Sequence, residues 1–228
     1  MKALLFLTAS LFACGQIDQP RIGVMLDQRG DARAVIGVAG SATTSDPLWR
    51  GVQTLECSST GCLAKTQNAL LSSTGEVLDA PAGPAILAQQ SDSVYAYFPE
   101  AHRLVRWRDR QLEPVEFTPD GEVLDLRVAH GRVEYAARRA DGIWAGGQYA
   151  GDATAVLLLD DGILLATREQ VRLSRPDGTE VDFPVAGVTS FIRMSDGYVQ
   201  MIASHGMWAL RIEPGHEQVF LLPGVSQE

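Results

Sequence analysis

Residues Asp161–Pro184 read DGILLATREQVRLSRPDGTEVDFP. Three short runs stand out: Ile163–Arg168, Gln170–Ser174 and Thr179–Pro184. They are rich in Val, Ile, Leu and Phe and too short for helices, which is how strands read. Val171 and Leu173 alternate with Arg172 and Ser174, placing one apolar and one polar face on the same strand. Between the runs sit Asp161-Gly162 and Asp177-Gly178. Asp-Gly suits tight turns that need positive φ, because glycine has no Cβ to clash there. The stretch therefore predicts strand, turn, strand.

The same alphabet extends in both directions from Arg21. Upstream are RIGVML, AVIGVA, VYAYF, RLVRW and EVLDLRVA, and downstream are SFIRM, YVQMIA, GMWALRI and QVFLL. No window carries apolar residues at i, i+3, i+4 and i+7 over three turns, so amphipathic helices are not expected. Gly121, Gly142, Gly162, Gly178 and Gly197 each follow Asp, and Gly215 follows Pro214. Their successive steps are 21, 20, 16, 19 and 18 residues. Each step holds two strands and their turns, and two steps make about 38 residues, close to a four-stranded propeller blade.

This beat resembles degenerate bacterial β-propellers of the NHL or YVTN type. The resemblance covers nearly the whole of the expected mature chain, Cys14 to Glu228, and the Gly-His and Trp-Asp marks of WD40 blades are missing. It implies an all-β fold of about five four-stranded blades. Closure is expected from pairing of the N- and C-terminal strands, Arg21–Leu26 with Gln218–Leu222. A β-sandwich or irregular barrel uses the same strand and turn alphabet and is the alternative. The Trp107–Trp144 gap of 37 residues matches one blade, and such repeated aromatics are expected to pack between blades.

The N-terminus carries a different signal. Lys2 precedes an almost wholly apolar run, Ala3 to Ala13, of signal-peptide length and too short to span a bilayer. Leu11-Phe12-Ala13-Cys14 resembles the bacterial lipobox, with Phe12 departing from the small or β-branched residue usual there. The resemblance implies a diacylglycerol thioether on Cys14 and an acylated amino terminus. Gly15 in place of Asp resembles the outer-membrane address. Ordinary signal-peptidase cleavage after Gly15 is the alternative, giving a soluble periplasmic or secreted protein. The expected organisation is residues 1–13 as signal peptide, 14–20 as lipidated tether and 21–228 as the β-domain.

With Cys14 lipidated, the odd count of three cysteines becomes a pair. Cys57 and Cys62 flank a turn, Ser-Ser-Thr-Gly, and a structural disulfide is expected between them in an oxidising compartment.

Chemistry is otherwise sparse. There is no Gly-x-Ser-x-Gly elbow, Walker loop, Gly-x-Gly-x-x-Gly or His-Glu-x-x-His. Asp160 and Asp161 read as a hairpin turn, and His102, His130, His205 and His216 are scattered singly. The basic stretch His102–Arg110 reads as an outward strand face with Trp107 in the core, its charge offset by Asp109, Glu113 and Glu116. The net charge of −9 argues against nucleic acid as a partner. No catalytic residue, metal ligand or cofactor site is assigned. The expected function is a lipid-anchored envelope propeller that binds or scaffolds. Its expected partners are the membrane, through lipid on Cys14, and a protein or small ligand. The alternative is a propeller hydrolase or lactonase with a metal at the central channel.

Overall fold

The computed structural model describes residues 20–90, 93–129, 131–195 and 197–224. Cys14, the signal segment and His130 lie outside them. Every regular element among the described residues is a strand, and each sheet is an antiparallel meander. The first sheet holds β1 (Arg21–Leu26), β2 (Ala32–Val38) and β3 (Ser41–Trp49). The second holds β4 (Thr54–Ser58), β5 (Gly61–Lys65), β6 (Ala69–Ser72) and β7 (Val77–Asp79). The third runs from β8 (Ile86–Gln90) through β9 (Ser93–Phe98) and β10 (Arg103–Arg108) to β11 (Gln111–Val115). The fourth comprises β12 (Glu122–Ala129), β13 (Arg132–Arg139), β14 (Gly142–Ala145) and β15 (Gln148–Gly151). The fifth is β16 (Ala155–Leu159), β17 (Gly162–Ala166), β18 (Val171–Ser174) and β19 (Glu180–Phe183). The sixth is β20 (Val188–Ser195), β21 (Tyr198–Ala203), β22 (Gly206–Arg211) and β23 (Gln218–Leu221).

Apolar residues of each sheet pack on the next sheet. Between the fifth and sixth, Leu164, Val171 and Leu173 meet Val188, Met201 and Leu210, all fully buried. Trp107 packs with Leu63, Leu70 and Phe98 between the second and third, as its alternation on β10 predicts. A separate cluster fills each of the other junctions, including the one between the sixth sheet and the first. The arrangement is a β-propeller. Its residues form no sandwich of two stacked sheets.

Two expectations are corrected. The blades number six, not five, among the described residues; five have four strands and the first has three. The glycine beat overestimated the blade. The first strands of successive four-stranded sheets begin at 54, 86, 122, 155 and 188, which is 32 to 36 residues apart. Gly162 and Gly197 mark the first hairpins of the fifth and sixth blades and Gly178 and Gly215 their third, but Gly121 precedes β12 and Gly142 opens β14, so the intervals from these two do not measure one repeat. Their physical role differs too. Gly178 takes a φ of +86°, whereas Gly162 is needed because a Cβ would sit 2.6 Å from the Ser174 carbonyl oxygen.

The second correction concerns closure. β1 pairs with β2, and β23 pairs with β22; neither pairs with the other. The seam is made by side chains instead. The Gln200 carboxamide on β21 accepts from the Leu26 amide at 2.9 Å and donates to the Leu26 carbonyl at 2.7 Å. The Ser195 hydroxyl on β20 donates to the Ile22 carbonyl at 2.9 Å. Gly23 admits the close approach, since a Cβ there would lie 2.3 Å from the Met194 carbonyl oxygen. These contacts place the start of β1 beside the end of β20. Gln200, opposite Ile192 in register, places the end of β1 further back along β20. β1 thus runs opposite to β20. It takes the place of a blade's second strand, and no described residues supply an innermost strand for the first sheet. β4 and β20 consequently touch each other directly.

Gln200 is fully buried, so removing its amide orphans two backbone groups of Leu26. Each orphaned group costs about 1–3 kcal/mol. Gln200→Leu is expected to lower the unfolding free energy by about 2–5 kcal/mol in urea titration. Ser195→Ala, which loses a single half-buried bond, is expected to cost about 1 kcal/mol.

Candidate functional site

The chemically distinctive place is the axis. Five innermost strands line it: β4, β8, β12, β16 and β20. Their starts, at Leu55, Ile86, Leu124, Leu157 and Ser190, surround one mouth. Their ends, at Ser58, Gln89, Val128, Leu159 and Ser195, surround the other. The five strands therefore run in the same direction along the axis.

Between the mouths three charged side chains meet. Arg193 comes from the middle of β20, Glu56 from the middle of β4 and Asp125 from β12. A register shift between Val123 and Asp125 re-aims β12 at this point. Arg193 Nη1 donates to both Glu56 oxygens, at 2.8 and 2.9 Å. Its Nη2 donates to Asp125 Oδ2 at 3.1 Å and to the Leu158 carbonyl. Asp125 Oδ2 also accepts from the Leu158 amide at 2.7 Å. Glu56 and Asp125 are each 6% exposed. Both polar backbone groups of Leu158 are thus satisfied by side chains from other blades.

Two carboxylates share one guanidinium, so the cluster carries a net charge of −1 when all are ionised. Burial disfavours that charge. It pushes the Glu56 carboxyl up to about 7, against the opposing pull of Arg193 and with added repulsion from Asp125 and Asp160. Burial raises Asp125 as well, opposed by Arg193 and by the amides of Leu158 and Leu126. Burial works against the Arg193 charge, yet Asp125 and Glu56 hold its pKa above the ordinary arginine value. Asp125 has backbone donors that Glu56 lacks. Those donors favour the ionised form of Asp125.

The two mouths differ. The strand-start mouth is an apolar funnel of about 340 Å³, walled by Leu26, Ile86, Leu124, Leu157, Phe191 and Ile192, with Glu56 and Asp125 at its floor. The strand-end mouth is smaller, about 100 Å³, and polar, with Ser58, Gln89, Arg127, Asp160 and Arg193 on its walls. Arg127 is held there by the Leu159 carbonyl and the Glu134 carboxylate. Asp161 pairs with Arg175, which also donates to Glu217 at 3.0 Å.

The residues singled out in the sequence are dispersed. Cys57 and Cys62 are disulfide-bonded, facing each other across β4 and β5 with Cα atoms 4.0 Å apart. Asp160 and Asp161 form the β16–β17 turn, as their Asp-Gly context predicts, and also reach the strand-end mouth. His205 lies edge-on to Trp208, ring centres 6.1 Å apart, and His102 occupies a turn at a φ of +47°. Trp144 meets Tyr149 edge-on and carries the Arg139 guanidinium over its face at 4.4 Å. Among the described residues, no group of three or more His, Cys, Asp and Glu stands in a metal-binding arrangement. The axial triad was missed in the sequence. Its trace is a charged residue flanked on both sides by apolar ones within a strand: Glu56 between Leu55 and Cys57, Asp125 between Leu124 and Leu126, Arg193 between Ile192 and Met194.

No family model and no curated protein matches the chain. Solved structures do. A chain of the nidogen–laminin complex superposes with a TM-score of 0.58 at 9% identity, covering 88% of this chain and 93% of that one. The fold is a β-propeller. Two weaker propeller matches are PorZ, a surface component of the type-IX secretion system of Porphyromonas gingivalis, and virginiamycin B lyase from Staphylococcus aureus. PorZ gives a TM-score of 0.47 at 12% identity over 92% of this chain, which spans 39% of the PorZ chain. The lyase gives 0.48 at 11% identity, covering 92% of this chain and 86% of that one.

The triad sets a pH signature for this propeller. An unfolded Glu56 titrates near its ordinary 4.5 and the folded one near 7. Between these values the native state holds a proton that the unfolded chain has lost. Its contribution to stability is complete below pH 4.5 and is lost as pH rises to 7. Glu56→Gln is expected to abolish that part of the decline in unfolding free energies measured from pH 4.5 to 7.5; an unchanged slope would contradict it. Arg193→Met leaves two buried carboxylates unpaired and is expected to cost about 3–5 kcal/mol at pH 7, less at pH 5.

Proposed function

We propose that this β-propeller is a non-catalytic binding module, exported and held at the outer membrane by lipid on Cys14. The observation that carries the reading is the occupied axis. The two buried carboxylates that face the channel are engaged by a guanidinium and by backbone amides, an arrangement that plugs the ring and holds its blades together. What this leaves for recognition is the apolar funnel and the loops of the two faces. A protein or small ligand meeting such surfaces needs no catalytic constellation.

The export reading is supported by the Cys57–Cys62 bridge, since disulfides persist in oxidising compartments. The tether reading is supported by the contact that Pro20 makes. The Pro20 carbonyl accepts from the Gly37 amide at 2.8 Å, so the chain is already fixed to the first blade six residues after Cys14. A diacylglycerol with a third acyl chain on Cys14 buries enough CH₂ groups for stable anchoring, at about 0.8 kcal/mol each.

Intact-mass analysis of detergent-extracted native protein is expected to show a chain that begins at Cys14 and carries three acyl chains. Cys14→Ala is expected to move the protein from the membrane fraction to the soluble one. A mature chain that begins at Gln16 without lipid would overturn the anchor. Metal analysis of the same sample tests the non-catalytic reading. Stoichiometric Ca²⁺ or Zn²⁺ would overturn it in favour of a metal-dependent propeller hydrolase or lactonase.

A further inference from the structure

The apolar funnel ends on a floor with unbalanced charge. The charged groups facing Glu56 are Arg193 on β20, Asp125 on β12 and Asp160 beyond the end of β16. One of these is positive. Arg193 is committed on both terminal nitrogens, to Glu56 through Nη1 and to Asp125 and the Leu158 carbonyl through Nη2. The layout is polar along the axis. Asp125 lines the funnel alone, Arg193 lines only the opposite, strand-end cavity, and Glu56 reaches both. A molecule entering the funnel therefore meets carboxylate oxygens, with the guanidinium behind them.

Above that floor the walls are mostly hydrocarbon, with Leu26, Ile86, Leu124, Leu157, Phe191 and Ile192, and Gln53, Thr54 and Ser190 are the polar exceptions. A volume of about 340 Å³ lies within the range of small-molecule sites, which pair apolar walls with a few placed polar groups. The charge missing from the floor is a single positive one. A small divalent metal ion would need six or so oxygen ligands, and among the described residues no group of three or more His, Cys, Asp and Glu is placed to hold one. An ammonium group needs only acceptors for its N–H bonds and a carboxylate beside it.

We propose that the funnel binds a small organic ammonium ion, its apolar body against Phe191, Ile86 and Leu124 and its charged nitrogen on Glu56 and Asp125. The ligand supplies the missing positive charge and removes the electrostatic penalty that burial places on the two carboxylates. Binding requires Glu56 to be ionised, so a proton leaves Glu56 for solvent when the ligand enters at mildly acidic pH. Affinity consequently rises as pH is raised towards and through 7 and levels off above it. A free amine fits better than a lysine of a partner protein, because the pocket is closed below by the triad and its volume suits a whole small molecule.

The inference goes beyond the binding-module reading. The experiment is isothermal titration of the mature protein with hexylammonium, hexan-1-ol, hexanoate and a short lysine-containing peptide. Hexylammonium is expected to bind at least about tenfold more tightly than hexanol, with hexanoate weaker still. It should tighten about twentyfold between pH 5.5 and 7.5 and release nearly one proton per ligand at the lower pH. Glu56→Gln is expected to lose about tenfold in affinity and all of the pH dependence. Phe191→Ala should weaken hexylammonium while keeping that dependence. Equal binding of the alcohol, no binding at about 10 mM, or a pH-independent wild-type affinity would overturn the proposal. A peptide that binds as tightly as the free amine would overturn its small-ligand form. The wild-type pH series stands by itself should Glu56→Gln fail to fold. A negative titration leaves the anchor and metal measurements untouched, so the two readings fail separately.

Discussion

Arg193 solves a problem that every ring of sheets faces. The innermost strand of a blade has one edge with no strand to pair, and its backbone N–H and C=O groups are costly to bury unsatisfied. Here the axis is too narrow to leave those groups to bulk solvent. Leu158 on β16 has its amide taken by Asp125 and its carbonyl by Arg193. The guanidinium reaches from the sixth sheet to the second, fourth and fifth at once. It thus links four blades across the axis through charge-assisted bonds in a water-poor centre, where such bonds are strongest and their loss most costly.

The seam between first and last blades follows the same rule. The free edge of β1 is satisfied by the Gln200 amide and the Ser195 hydroxyl, long polar side chains standing in for a neighbouring strand. The expected strand exchange between the termini is therefore unnecessary. Side-chain capping also explains why such residues survive in apolar strands. Gln200 sits between Val199 and Met201, and Arg193 between Ile192 and Met194. Each would be a misfit were it not the partner of a backbone edge.

Much of the architecture was legible because hairpin chemistry is local. Asp161-Gly162 and Asp177-Gly178 do bracket β17 and β18, and Trp107 does lie in the core while Arg108 faces out. The Cys57–Cys62 pairing was legible because two residues flanking a tight turn face each other across it. Blade number was not. The four-stranded blades recur every 32 to 36 residues and the first sheet, Arg21–Trp49, is shorter still, so six fit where about 38 residues per blade predicts five. The axial triad was hidden for a related reason. Glu56, Asp125 and Arg193 are separated by more than sixty residues each, and only the closing of the ring brings them within hydrogen-bond reach.

The three-stranded first sheet has a topological consequence. It shares no ladder with its neighbours, and behind it the second and sixth sheets already touch. Residues 21–49 therefore resemble a wedge pressed into a nearly complete five-membered circle, held by packing and a handful of side-chain bonds. A wedge of this kind can loosen as a unit while the remainder keeps its shape, which gives the ring a built-in point of give at its first three strands.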